Sequence, residues 1–139
     1  MQRNAQSGFT LIEIMVVVVI IGILAALIAP NIIGRDDQAR VAAARSDLQA
    51  IRQALDLYKM DNFRYPDTDA GLGALVNEPE GAKNWPQGGY LHNMPKDPWG
   101  NAYVYVSPGT KGPFDLLSLG ADGKEGGEDY DADISAFDR

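Results

Sequence analysis

Between Phe9 and Ala29 the chain reads FTLIEIMVVVVIIGILAALIA, 21 positions with a single ionisable side chain, Glu13. At about 1.5 Å per residue a helix of that length spans roughly the 30 Å hydrocarbon core of a bilayer. A carboxylate inside such a helix costs roughly 2.5–3.5 kcal/mol even on lenient insertion scales, so Glu13 asks for a partner. An ordinary secretory signal would account for Arg3 in a short polar lead. Its apolar core is shorter than this one, however, and a removable segment has little reason to carry a carboxylate. A plain signal-anchor is the other reading, with Pro30 marking the exit from the membrane.

The 139 residues amount to one domain's worth of chain. With no cysteine and one histidine, His92, disulfides, thiolate sites and multi-histidine metal centres are excluded. Any site is built from oxygen ligands or carboxylates. The formal net charge is -7, and no Lys/Arg cluster forms the basic stripe that nucleic acid requires. Twelve of 15 glycines and seven of eight prolines fall after residue 65. The chain therefore divides into a membrane segment, a helical segment and a turn-rich segment.

After Pro30 the pattern becomes amphipathic. Val41, Ala44, Leu48, Ile51, Leu55 and Tyr58 recur at spacings of three and four, with charged and polar residues between them. One apolar stripe on a long helix results, suited to packing on the chain's own C-terminal half rather than to a coiled coil, since fewer than three heptads are present. The helix should end near Phe63, because Tyr65 precedes Pro66 and is disfavoured in the α region. Pro30, with Gly34 four residues on, marks a place where the helix is able to bend.

Ala70–Val76 is a short helical candidate, followed by turn signals whose irregular course Trp85, Tyr90 and Trp99 are suited to pin. Ala102–Val106 and Phe114–Leu119 read as strands of an antiparallel hairpin laid against the helix stripe. A two-stranded hairpin alone is marginal, so a third strand is expected, around Gly89–Met94.

The last 21 residues hold seven acids against two bases, net -5. Within them Gly120, Gly123, Gly126 and Gly127 interleave with Asp122, Asp129, Asp131 and Asp133. Glycines let carbonyls turn inward while aspartates converge, the donor set calcium takes. The run is not an EF-hand: starting that template at Asp129 puts Ile134 where its invariant glycine belongs. The alternative is a solvated acidic tail. Gly123-Lys124 is not a phosphate loop, because Ser118 stands at the first glycine's place and Glu125 at that of the Ser/Thr. Asp36 and Asp37 suit a helix start as caps. His92, between Leu91 and Asn93, has no adjacent serine or carboxylate to make it a general base. No active site is visible.

Gly8-Phe9-Thr10-Leu11-Ile12-Glu13, followed at once by an unbroken apolar helix, resembles the leader junction of type IV pilins and of the pseudopilins of type II secretion. The resemblance implies that a prepilin peptidase removes residues 1–8 by cutting between Gly8 and Phe9 and that the new amine is methylated. It further implies that Glu13 meets the N-terminal amine of a neighbouring subunit, the partner a buried carboxylate demands. Asp97-Pro98-Trp99-Gly100-Asn101-Ala102-Tyr103, Gly109-Thr110-Lys111-Gly112-Pro113-Phe114-Asp115 and Ser118-Leu119-Gly120-Ala121-Asp122-Gly123 are similar to the major pseudopilins across their globular domain.

That family implies a pilin-like α+β fold: a long N-terminal helix, membrane half (9–30) plus amphipathic half (to about 64), packed on a small antiparallel sheet, with loops and sheet over 65–119 and a calcium loop and C-terminus over 119–139. Residues 31–139 would form the periplasmic domain. Pilins proper usually close the C-terminal region with a disulfide, which a cysteine-free chain lacks. The family's calcium site maps onto the Leu119 carbonyl and the side chains of Asp122, Asp129 and Asp131, with Ser118 and the Lys124 carbonyl as additions. The implied function is mechanical. Subunits in the inner membrane polymerise, through an assembly platform and with minor pseudopilins, into a helical homopolymer that drives folded exoproteins through the outer membrane. No small-molecule substrate or nucleic acid is implied. A type IV pilin for adhesion or motility, and an enzyme or binding module on a signal-anchor, are the competing readings.

Overall fold

The computed structural model describes residues 8–28 and 35–138. Residues 1–7, Pro30 and Gly34 lie outside them, so most of the expected leader and the expected bend are not among the described residues. The chain divides into two compact units, one up to Asp36 and one from Asp37.

In the first unit, α1 runs Leu11–Ile28. Its aliphatic side chains are exposed all round, from Leu11 and Ile12 through Val18 and Ile21 to Leu27. A helix hydrophobic on every side is one that belongs inside an apolar surrounding. No helix among the described residues is long and apolar enough to cross a membrane. The 18 described residues of α1 rise about 27 Å at 1.5 Å each, just short of a core of about 30 Å.

In the second unit, α2 (Arg35–Asn62) carries the stripe read from the sequence. Ala44, Leu48, Ile51, Leu55 and Tyr58 are buried, joined by Ala54, and Val41 packs at the margin. The helix stops because Phe63 enters the left-handed region (φ 64°), its N–H reaching the Lys59 carbonyl at 2.8 Å. Asn62, buried at this end, donates to the Tyr58 carbonyl and the Tyr90 hydroxyl and accepts from the Lys83 N–H. A short 3-10 helix, Gly71–Leu75, stands where Ala70–Val76 was expected and buries Leu72, Ala74 and Leu75.

The sheet has three antiparallel strands in the order β1 (Val104–Val106), β2 (Asp115–Ser118), β3 (Ile134–Ser135). Tyr105 pairs with Leu116 and Ser118 with Ile134. The hairpin and its placement against α2 are as expected: Tyr103, Tyr105, Phe114, Leu116 and Ile134 share one core with the α2 stripe.

The third strand is not where the sequence reading put it. Gly89–Met94 forms no strand, since Gly88 and Gly89 have positive φ (92° and 76°). The N–H groups of Tyr90 and Leu91 both bond the Leu75 carbonyl, so this segment wraps the end of the 3-10 helix. The third strand comes instead from beyond the acidic loop. The irregular course between is pinned by aromatic residues: Trp85 donates its indole N–H to the Ala74 carbonyl at 3.0 Å and meets Tyr90 edge-on, while Trp99 packs against the core.

Candidate functional site

At the N-terminal site, Gly8 and Phe9 precede α1 and are exposed, Phe9 to 84%. The Thr10 N–H and hydroxyl both donate to Glu13 Oε2 (2.8 and 3.0 Å), and the Glu13 N–H returns to Thr10 Oγ1 at 3.3 Å. This is a reciprocal capping box. It satisfies two N–H groups left without helical acceptors at the start of α1 and gives Glu13 a partner inside its own chain. The family resemblance alone places that partner in another subunit. The signal was present: a Thr three residues before a Glu, opening an apolar run.

The C-terminal loop leaves β2 at Leu119 and returns at β3. Gly120, Gly123, Gly126 and Gly127 all have positive φ, and so does Asp129 (φ 54°). A Cβ at Gly120 would lie 2.7 Å from the Asp131 carbonyl carbon, and one at Gly127 would strike the Asp131 carbonyl oxygen. Glycine is thus required by space as well as by φ. The Ala121 N–H bonds the Tyr130 carbonyl at 2.9 Å, and the Gly126 N–H bonds Asp133 Oδ2 at 3.0 Å while the Asp133 N–H returns to the Gly126 carbonyl at 3.2 Å. The loop is folded upon itself.

Of the residues singled out from sequence, Asp122, Lys124, Asp129 and Asp131 are exposed, and Leu119 is half-buried. Asp122 Oδ1 accepts the Lys124 N–H at 3.0 Å, and the Asp131 N–H bonds the Glu128 carbonyl at 3.0 Å. Among the described residues no three acidic or histidine side chains gather as a metal cluster. The donors nevertheless suit calcium in kind: hard oxygens only, on a glycine-shaped backbone, with exposed carboxylates. Ser118 stands apart. It is fully buried, and its hydroxyl donates to Asp97 Oδ2 at 2.8 Å while accepting the Gly120 N–H at 3.3 Å.

Asp97 was not singled out as a site residue. It opens a turn in which its N–H bonds the Asn101 carbonyl at 2.8 Å and its Oδ1 accepts the N–H groups of Trp99 (3.1 Å) and Asn101 (2.7 Å). Lys96 and Ala102 form an antiparallel bridge beneath this turn.

Burial raises the tyrosine pKa values around the core. Desolvation pushes Tyr105 up to about 12, its hydroxyl donating to the Pro66 carbonyl at 2.8 Å. Burial also pushes Tyr103 up, and the Asp47 carboxylate that accepts its proton (3.0 Å) adds to the effect. Tyr90 is raised for the same two reasons, with Asp61 as the acceptor.

Comparison with known proteins covers both units. Residues 31–137 match the family described as "Type II secretion system (T2SS), protein G", and residues 3–29 match the "Prokaryotic N-terminal methylation motif". The chain is 64% identical over 141 residues to type II secretion system core protein G of Pseudomonas aeruginosa, covering 99% of each chain. It is 54% identical to that of Vibrio cholerae, covering 96% of this chain and 92% of the relative. The crystal structure of the major pseudopilin from the type 2 secretion system of enterohaemorrhagic Escherichia coli superposes with a TM-score of 0.65 at 40% identity, covering 76% of this chain and 93% of that one. With a methylation motif on its first unit, the globular family on its second and a major pseudopilin as its structural match, the chain belongs to the protein G family of type II secretion, the major pseudopilins.

Proposed function

We propose that this chain is processed between Gly8 and Phe9 by a prepilin peptidase, methylated at Phe9 and held in the inner membrane with the unit from Asp37 in the periplasm. There it polymerises as the main subunit of a helical filament that drives folded exoproteins outward, assembling with minor pseudopilins on an inner-membrane platform. The observation that carries the reading is the pairing of a methylation motif over residues 3–29 with α1, whose apolar side chains are exposed all round. Such a helix is stable in lipid or among like helices, the two surroundings a membrane-stored filament subunit passes between. Its role is read as structural, because the family it belongs to is that of the major pseudopilins.

Calcium is proposed for the C-terminal loop, held by the Leu119 carbonyl and the carboxylates of Asp122, Asp129 and Asp131, with the Lys124 carbonyl as a further donor. When bound, the ion supplies one thing, the cancellation of repulsion among clustered acids. The chain's own residues supply the rest: glycines shape the backbone, and the bonds from Ala121 to Tyr130 and from Gly126 to Asp133 close it.

The test is a strain lacking this chain, complemented with wild type or Glu13→Ala, scored for exoprotein release, surface pili and the mass of the mature N-terminus. Loss of release without loss of pili, restored by wild type only, and a mature chain starting at a methylated Phe9 are expected. Loss of pili or twitching with release intact would replace the reading by that of a type IV pilin. An uncut Gly8–Phe9 bond would point to a signal-anchored module.

A further inference from the structure

We infer that Asp97 is a positioning residue for the C-terminal loop, acting through the Ser118 hydroxyl to fix the backbone at Leu119 and Gly120. The inference rests on the calcium reading of that loop and assigns Ser118 to a strut rather than to the metal.

Asp97 is 4% exposed and Ser118 is fully buried, so their 2.8 Å hydrogen bond lies out of water. A buried carboxylate is costly unless its oxygens are well supplied with donors. Here three converge: the N–H groups of Trp99 and Asn101 on Oδ1, and the Ser118 hydroxyl on Oδ2. The three bonds measure 2.7–3.1 Å. A turn alone would need only the Oδ1 half, the ordinary aspartate turn that bonds backbone two residues on. The Oδ2 half reaches 21 residues along the chain to the last residue of β2.

From there the bonding continues into the loop. Ser118 Oγ accepts the Gly120 N–H, so the two residues flanking Leu119 are tied to one hydroxyl whose own proton is committed to Asp97. Leu119 carries the backbone carbonyl assigned to the metal. A second contact presses turn and loop together: a Cβ at Gly123 would lie 3.2 Å from Asn101 Nδ2. The Asp97–Asn101 turn therefore braces the loop at its departure and again at Gly123, one residue beyond Asp122. Groups that orient metal ligands without touching the ion typically change affinity by about ten- to a hundredfold when removed.

The experiment uses the full chain in detergent micelles. Thermal midpoints are measured across a calcium titration and in excess EDTA for wild type, Asp97→Asn, Ser118→Ala and, as a control on general destabilisation, Leu72→Ala in the core. Amide exchange over 119–133 is followed in EDTA. Wild type should gain several degrees with saturating calcium. Asp97→Asn and Ser118→Ala should weaken the calcium Kd by about tenfold or more and speed exchange at 119–123. Leu72→Ala should lower all midpoints and leave the Kd as in wild type. Asp97→Asn with the wild-type Kd, or a loss matched by Leu72→Ala, overturns the inference. If wild type itself gains nothing from calcium, the metal reading falls, and exchange in EDTA decides alone: faster exchange at 119–123 in Ser118→Ala keeps Asp97 and Ser118 as the loop's brace, and unchanged exchange removes it. Should Asp97→Asn not fold, Ser118→Ala carries the same readouts.

Discussion

Tyr103 and Asp47 stand 56 residues apart in the chain and are joined by one hydrogen bond, the phenol donating to Oδ2 at 3.0 Å. It ties the residue just before β1 to the polar shoulder of α2, so the helix is held by its apolar stripe and by a directed bond beside it. Tyr103→Phe should cost about 1 kcal/mol, the ordinary net worth of such a bond, and lower the midpoint by about 4–8 °C for a domain near 100 residues. A double-mutant cycle with Asp47→Ala measures the coupling, and additivity of the two losses would show that the bond contributes nothing.

Alkaline pH should unfold the domain through its tyrosines. A phenol whose folded pKa is raised contributes stability that is full below the unfolded value near 10 and lost as pH rises through the folded value, about 12 for Tyr105. Tyr90 and Tyr103, raised likewise, steepen the fall. Denaturant melts from pH 8 to 12 should show a plateau and then a decline beginning near 10. Tyr105→Phe should make that decline shallower, and an unchanged slope counts against the assignment.

Two neighbouring glycines allow steric crowding to be separated from backbone strain. Gly126 and Gly127 both have positive φ (91° and 86°), yet a Cβ meets nothing within 4 Å at Gly126 and strikes the Asp131 carbonyl oxygen at Gly127. Gly126→Ala should cost about 1–2 kcal/mol, the left-handed penalty alone. Gly127→Ala should cost clearly more and detach the loop, visible as faster exchange of the Asp131 amide. Equal losses would mean the contact is relieved without consequence.

The capping box at α1 predicts that Thr10→Val loosens the helix start by about 1 kcal/mol, whereas Thr10→Ser retains the bonds. Amide exchange at residues 10–13 in micelles is the measurement, and equal protection in the two variants would deny the cap a role.

Much of this was readable in advance. The α2 stripe, its end at Phe63 and the β1–β2 hairpin follow from periodicity and from the constraint ahead of Pro66, all local signals. β3 was not readable, because Ile134–Ser135 is two residues long and gains its place from Leu117 and Ser118 rather than from its own alternation. The Asp97–Ser118 pair is of the same kind: an Asp before a Pro announces a turn, but nothing in either residue announces the other, 21 positions away. Glu13 is the reverse case, since its partner was three residues distant and matched a known pattern.

The uniform apolar coat of α1 has a consequence for the architecture it serves. Among the described residues of α1 the apolar character is the same on every side, with Glu13 as the ionisable group and Gly22, Ala25 and Ala26 as the small ones, so hydrophobicity alone sets no rotational register for it. Any fixed rotation of such a helix among like helices has to come from the shape of its small residues and from Glu13 rather than from burial of an apolar face.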